Sequence, residues 1–110
     1  MTRGEVYMAD LHKDGKHVQY GRRPVLIIQN DKGNIFSPNT IVIPFTGMHN
    51  KSRLPTHVTV REGLLKPSIA LCEQILTISK SQIGEYIGRL TPKTMQKINE
   101  AIKISLSLEE

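Results

Sequence analysis

The chain has 110 residues, 38% of them hydrophobic, and a formal net charge of +5 at neutral pH, which suits one globular domain over 1–110 with a single modest core. No apolar run approaches the ~20 residues that span a bilayer, and the start lacks the apolar segment of a secretory signal. The single cysteine, Cys72, has no internal disulfide partner and fits a reducing cytoplasm, while no His/Cys cluster has zinc-site spacing, so neither metal nor cofactor is expected.

The charge is uneven: residues 1–55 carry eight Lys/Arg against four Asp/Glu, and residues 56–110 carry seven against six. Lys13, Lys16, Arg22 and Arg23 face only Asp14 across one stretch, a local field that steers anionic partners, nucleic acid first among them. For a charge run alone, a solvated basic loop is the plainer reading.

In chain order, "GEVYMAD" (4–10) reads as a short strand, and 11–22, with two glycines and many polar groups, as an exposed loop. "RPVLIIQN" (23–30) is a continuous apolar run opened by Pro24, which lacks an N–H and belongs at a strand start or edge. Residues 31–39, "DKGNIFSPN", form a dense set of turn formers, and "TIVIPF" (40–45) is a second buried strand. The polar segment 46–55 carries Lys51 and Arg53. "THVTVRE" (56–62) alternates as a half-exposed strand does, and "SIALCEQILTI" (68–78) reads as one long strand, although its composition also tolerates helix. Ser79 and Gln82 have capping-box spacing around one helical turn, and "GEYIGRL" (84–90) is a last strand. Thr91 as N-cap and Pro92 at the first helical position open a terminal helix, with Met95, Ile98, Ile102 and Leu106 drawing one apolar stripe. Ile104 and Leu108 lie off that stripe. Short strands with one terminal helix predict a mainly β fold, a small and strongly bent antiparallel barrel.

Two strand junctions carry the candidate chemistry. If 23–30 and 40–45 pair as antiparallel neighbours, Arg23 at the start of one meets Thr46 just past the end of the other, and a guanidinium fork beside a hydroxyl makes a phosphate clamp. An arginine capping a sheet edge and a threonine in a turn explain the same residues more plainly. His17 in the basic loop is a candidate acid or base, or a solvated loop histidine. Glu73 interrupts an apolar run and needs a partner if buried, which a rim arginine would supply; by alternation it would instead face solvent. His49 and His57 flank the polar basic segment and could contact RNA, though ordinary surface groups are the plainer reading; Cys72 reads as a small core residue. Tyr7 and Tyr20 offer rings for base stacking, though Tyr7 equally suits a core.

The blocks "RGEVYMADL", "GRRPVLIIQND", "FSPNTIVIPFTG", "LPTHV" and "LCEQILTI", with a closing helix ending "ISLSL", run in this order over nearly the whole chain, and through them the sequence resembles the MazF/PemK (Kid) toxins of bacterial toxin–antitoxin modules. The resemblance implies a CcdB/MazF-type SH3-like barrel and a homodimer. It further implies a metal-independent endoribonuclease that cuts single-stranded RNA, usually mRNA, by attack of the ribose 2′-OH, leaving a 2′,3′-cyclic phosphate and a 5′-OH. The family's "RP" arginine falls on Arg23, its strand-end threonine on Thr46 and its acidic-Gln pair on Glu73 and Gln74. Residues 16–24 correspond to the family's loop, with its histidine variant retained at His17 but Val18 standing where the family has glutamate. Valine accepts no proton, so the expected base is His17, supported by Glu73. Expected RNA contacts are Lys16, Gln19, Tyr20, Arg22, Lys51, Arg53 and Gln74. The expected partner is an antitoxin whose disordered, acidic C-terminal segment covers the RNA groove, and Ile104 and Leu108 fit either a dimer surface or the core. A non-cleaving nucleic-acid-binding barrel, kept open by Val18, and a CcdB-like gyrase poison are the alternatives.

Overall fold

The computed structural model describes residues 1–12, 18–48 and 54–108. Seven strands and two helices follow one another: β1 (Glu5–Leu11), β2 (Gly21–Ile27), α1 (Asp31–Phe36), β3 (Asn39–Gly47), β4 (His57–Val60), β5 (Ser68–Leu71), β6 (Leu76–Ser79), β7 (Ile83–Arg89) and α2 (Pro92–Leu106). All ladders are antiparallel, and the sheet runs β4-β5-β3-β2-β1-β7 with β6 also on β3. The fold is mainly β with a C-terminal helix, as expected, and the sheet is bent into a barrel-like shape; among the described residues no ladder joins β4 to β7 to close it.

The unbroken apolar runs of β2 and β3 have a simple cause: both strands are buried on two faces. Leu26, Ile43 and Phe45 join Val6, Val60, Leu90, Ile98 and Ala101 in a core under α2. Val25, Ile27 and Val42 point the other way, into a second cluster with Ala9, Leu11 and Ile78.

Three expectations change. The stretch 31–36 is a helix rather than a turn: Asn30 caps it by accepting from Gly33 N at 2.8 Å, and buried Asn34 donates to Gln29 O while accepting from Thr40 Oγ1. These local bonds hold a sequence that is poor in helix formers. The run 68–78 is not one strand. Nine-residue β3 takes β5 against its C-terminal half and β6 against its N-terminal half. The two registers differ by three residues: Val42 pairs with Leu76, where the β5 register carried onward would bring residue 73. The surplus residues loop out as a turn closed by Gln74 N on Leu71 O at 2.9 Å. Leu106, expected on the buried stripe of α2, is 54% exposed, alongside Ile104 and Leu108.

The remaining local signals hold. Ser79 and Gln82 form the capping box around a 3-10 turn, and Thr91 caps α2 with Pro92 in its first turn.

Candidate active site

Arg23 stands near the start of β2, opposite Ala9 of β1. The β2–β3 ladder is recorded from Val25↔Pro44 inward, and the same register carried two residues outward sets Arg23 across from Thr46. Thr46 is buried, at 7% exposure, with Ile69 of β5 on its other side. That extension would bring the two to one rim of the sheet, although the recorded pairing ends at Val25 and Pro44. Arg23 Nε donates to Tyr20 O at 2.8 Å, which fixes the fork. Among the described residues no hydrogen bond is recorded to its Nη atoms.

Tyr20 also lines a cleft of about 390 Å³ with Val18, Gln19, His57, Leu71, Glu73 and Gln74; Arg23 and Thr46 are not among its lining residues. The looped-out turn after β5 supplies Glu73 and Gln74. Gln74 Oε1 accepts from Gln19 N at 3.0 Å and ties the basic loop's end to that turn. Glu73 bonds His57 Nε2 at 2.9 Å through one oxygen and accepts from Thr56 Oγ1 at 3.1 Å through the other. The His57 side chain is only 8% exposed and that of Glu73 34%. An imidazole held by a carboxylate at a cleft wall is a fixed proton acceptor or donor. A smaller cleft, lined by His12, Pro44, Ile75 and Leu76, lies behind the same Val18, Gln19 and Gln74.

His57, which the sequence suggests is most simply a surface group, instead lines the larger cleft with a nearly buried side chain. Its partner is the carboxylate assigned above to a rim arginine, so Glu73 is satisfied by histidine and threonine instead. The signal was non-local: pairing of 57–60 with 68–71 sets His57 opposite Leu71, two residues from Glu73. Arg22 points away from Arg23, as successive strand residues do, and its Nη2 meets Glu85 Oε1 of β7 at 2.7 Å rather than lining the cleft. Lys16, His17, His49, Lys51 and Arg53 lie outside the described residues. Tyr7 stacks edge-on against Tyr86 with centroids 5.5 Å apart and donates to Glu5, away from the cleft.

Burial, and after it the nearby Glu73 charge, pushes the Cys72 thiol up to about 12, so it is no nucleophile at neutral pH. Among the described residues, no three His, Cys, Asp or Glu side chains come together as a metal-ligand set, and no helix is long and apolar enough to cross a membrane.

The family described as PemK-like, MazF-like toxin of type II toxin–antitoxin systems matches residues 2–106. Endoribonuclease MazF of Staphylococcus saprophyticus is 47% identical over 98% of this chain and 92% of its own length. Endoribonuclease EndoA of Bacillus subtilis is likewise 47% identical, over 98% of this chain and 96% of its own. Among solved structures, a mycobacterial endoribonuclease in complex with its cognate antitoxin superposes with a TM-score of 0.84 at 29% identity, over 100% of this chain and 98% of that one. With a shared fold, near full-length coverage and this level of identity, the chain belongs to the PemK-like, MazF-like toxin family of type II toxin–antitoxin systems.

Proposed function

We propose that this toxin endoribonuclease cuts single-stranded RNA, mRNA above all, by transesterification at the rim that holds Arg23 and Thr46. The ribose 2′-OH loses its proton as its oxygen attacks the adjacent phosphorus. The P–O5′ bond then breaks, leaving a 2′,3′-cyclic phosphate on one product and, after protonation from water, a 5′-OH on the other. Arg23 lends its Nη donors to the phosphorane and the leaving oxygen, where developing charge makes fixed donors most effective. Thr46 Oγ holds a non-bridging oxygen.

The observation that carries this reading is the His57–Glu73 pair, at 2.9 Å, in a cleft also lined by Tyr20, the residue to which Arg23 is hydrogen-bonded. Val18 offers no proton acceptor, and His57 supplies one. Gln19, Tyr20 and Gln74 line the RNA path, with Lys16, Lys51 and Arg53 adding charge to the groove; His17 is a second base candidate on the basic loop. A requirement for the 2′-OH restricts the substrate to RNA.

The +5 charge suits both RNA and a disordered acidic antitoxin segment competing for the cleft. Exposed Ile104, Leu106 and Leu108 at the end of α2 suit the interface of a homodimer, acting in the cytoplasm where the lone Cys72 stays reduced.

The test is incubation of a long single-stranded RNA with the purified protein in EDTA, with product ends mapped, beside Arg23→Ala. Discrete cuts with cyclic-phosphate and 5′-OH ends that vanish in the variant support the reaction and its clamp. Stoichiometric binding without cuts would make the protein a binding module, the outcome that Val18 keeps open.

A further inference from the structure

The turn that presents Glu73 and Gln74 is held from an unexpected direction. Cys72, its first residue, donates its N–H to Thr56 O at 2.9 Å, and its carbonyl accepts from Ser105 Oγ of α2 at 2.7 Å. The amide of this residue is thereby tied to the residue before His57 and its carbonyl to the last turn of the C-terminal helix. A serine inside a helix commonly bonds back to a carbonyl of its own preceding turn. Ser105 instead bonds across to the loop that carries the site's carboxylate.

The helix end that supplies this tie is closed by a cap. Ser107 closes it in the left-handed conformation, at φ 55°, with Ser107 N on Ile104 O and Leu108 N on Lys103 O. The three-residue register offset between β5 and β6 leaves the 72–75 turn without a ladder partner on β3, so its placement depends on such side ties. Glu73 follows the tied peptide directly and reaches His57 and Thr56 from there.

We infer that Ser105 is a positioning residue: through the Cys72 carbonyl it sets the turn that aligns Glu73 with His57, which couples the end of α2 to the cleft. The inference rests on the proposed reaction for its kinetic consequence, but not for the geometry. A hydrogen bond of this kind governs a few-fold to about tenfold change in an equilibrium, and the misalignment falls on the proton-transfer step rather than on RNA binding.

The test compares Ser105→Thr with Ser105→Val, two side chains of the same shape that differ in the hydroxyl. Ser105→Val is expected to lower kcat about three- to tenfold with KM within about twofold, and Ser105→Thr to retain wild-type kcat. In a Glu73→Gln background the valine substitution is expected to add nothing, because both act on one interaction. Independently of cleavage, NMR of the His57 ring N–H is expected to show the Glu73-bonded proton in wild type and Ser105→Thr, and its shift or loss in Ser105→Val. Equal behaviour of the two variants, or full additivity with Glu73→Gln, overturns the inference. If wild type cuts no RNA, the proposed reaction fails, while the ring N–H signal still decides the role of Ser105.

Discussion

Replacing His57 by alanine and, separately, Glu73 by glutamine tests the least expected part of the site. His57 is nearly buried and bonded to a carboxylate at 2.9 Å, so the two changes remove different things. His57→Ala deletes the proton acceptor, and general acid–base catalysis contributes about 10²–10⁴-fold. Glu73→Gln keeps the shape but replaces a charge-assisted bond with a neutral one. Bonds to charged groups are worth about 1.5–3 kcal/mol, so losing the alignment they enforce predicts a fall of about ten- to a hundredfold. The assay is single-turnover cleavage of a short labelled RNA containing the mapped site, with saturating enzyme so that the chemical step is read. Circular dichroism melts alongside show whether the fold is kept. If folded His57→Ala and Glu73→Gln both cut within about twofold of wild type, the pair has no chemical role; the base must then be sought on the basic loop, at His17.

Three further outcomes follow from the structure. Gly88→Ala is expected to destabilise by about 1–3 kcal/mol in a urea melt, because its Cβ would stand 2.6 Å from Gly63 O; an unchanged midpoint would mean that the 63 and 88 backbones do not approach in solution. The Asp31 carboxyl is held below its usual range, chiefly by the Arg3 N–H at 2.7 Å. Its stabilisation is therefore present above the unfolded-state pKa and lost as pH falls through the folded one, so Asp31→Asn should melt lower than wild type near neutrality and coincide with it in strong acid; a gap independent of pH would contradict this. If the proposed homodimer is built on the helix end, Ile104→Lys combined with Leu108→Lys leaves only monomer by sedimentation, and an unaltered mass would remove the helix end as the interface.

Much of the site was legible because it depends on pairing that a sequence implies. Reading 23–30 and 40–45 as adjacent antiparallel strands sets Arg23 and Thr46 toward one rim, and the pairing of 25–27 with 42–44 shows the two strands to be such neighbours. The capping signals at Ser79 and Thr91 are local and survived intact. What stayed hidden depends on distant neighbours. The break after Leu71 exists because one long strand has two partners in different registers, and within "SIALCEQILTI" only the polar Glu73–Gln74 interruption coincides with it. His57 reads as a surface residue until the turn brings Glu73 against it from 16 positions away. Helix α1 contains Gly33 and Asn34, which argue for a turn, and its stability comes from Asn30 and the buried Asn34 network instead. Leu106 keeps the helical period of Ile98 and Ile102, yet the core ends before it reaches the last turn.

The central claim is that the ribose 2′-OH is the nucleophile at the Arg23–Thr46 rim. Its most direct test is a substrate in which only the nucleotide on the 5′ side of the mapped cut is changed to 2′-deoxy, offered to wild type beside the all-ribose strand. The account predicts that the substituted strand binds with comparable affinity, resists cleavage, and acts as a competitive inhibitor of the all-ribose strand. Cleavage of the substituted strand at the same bond would contradict it, because no cyclic phosphate can form there and the attacking oxygen would have to come from water.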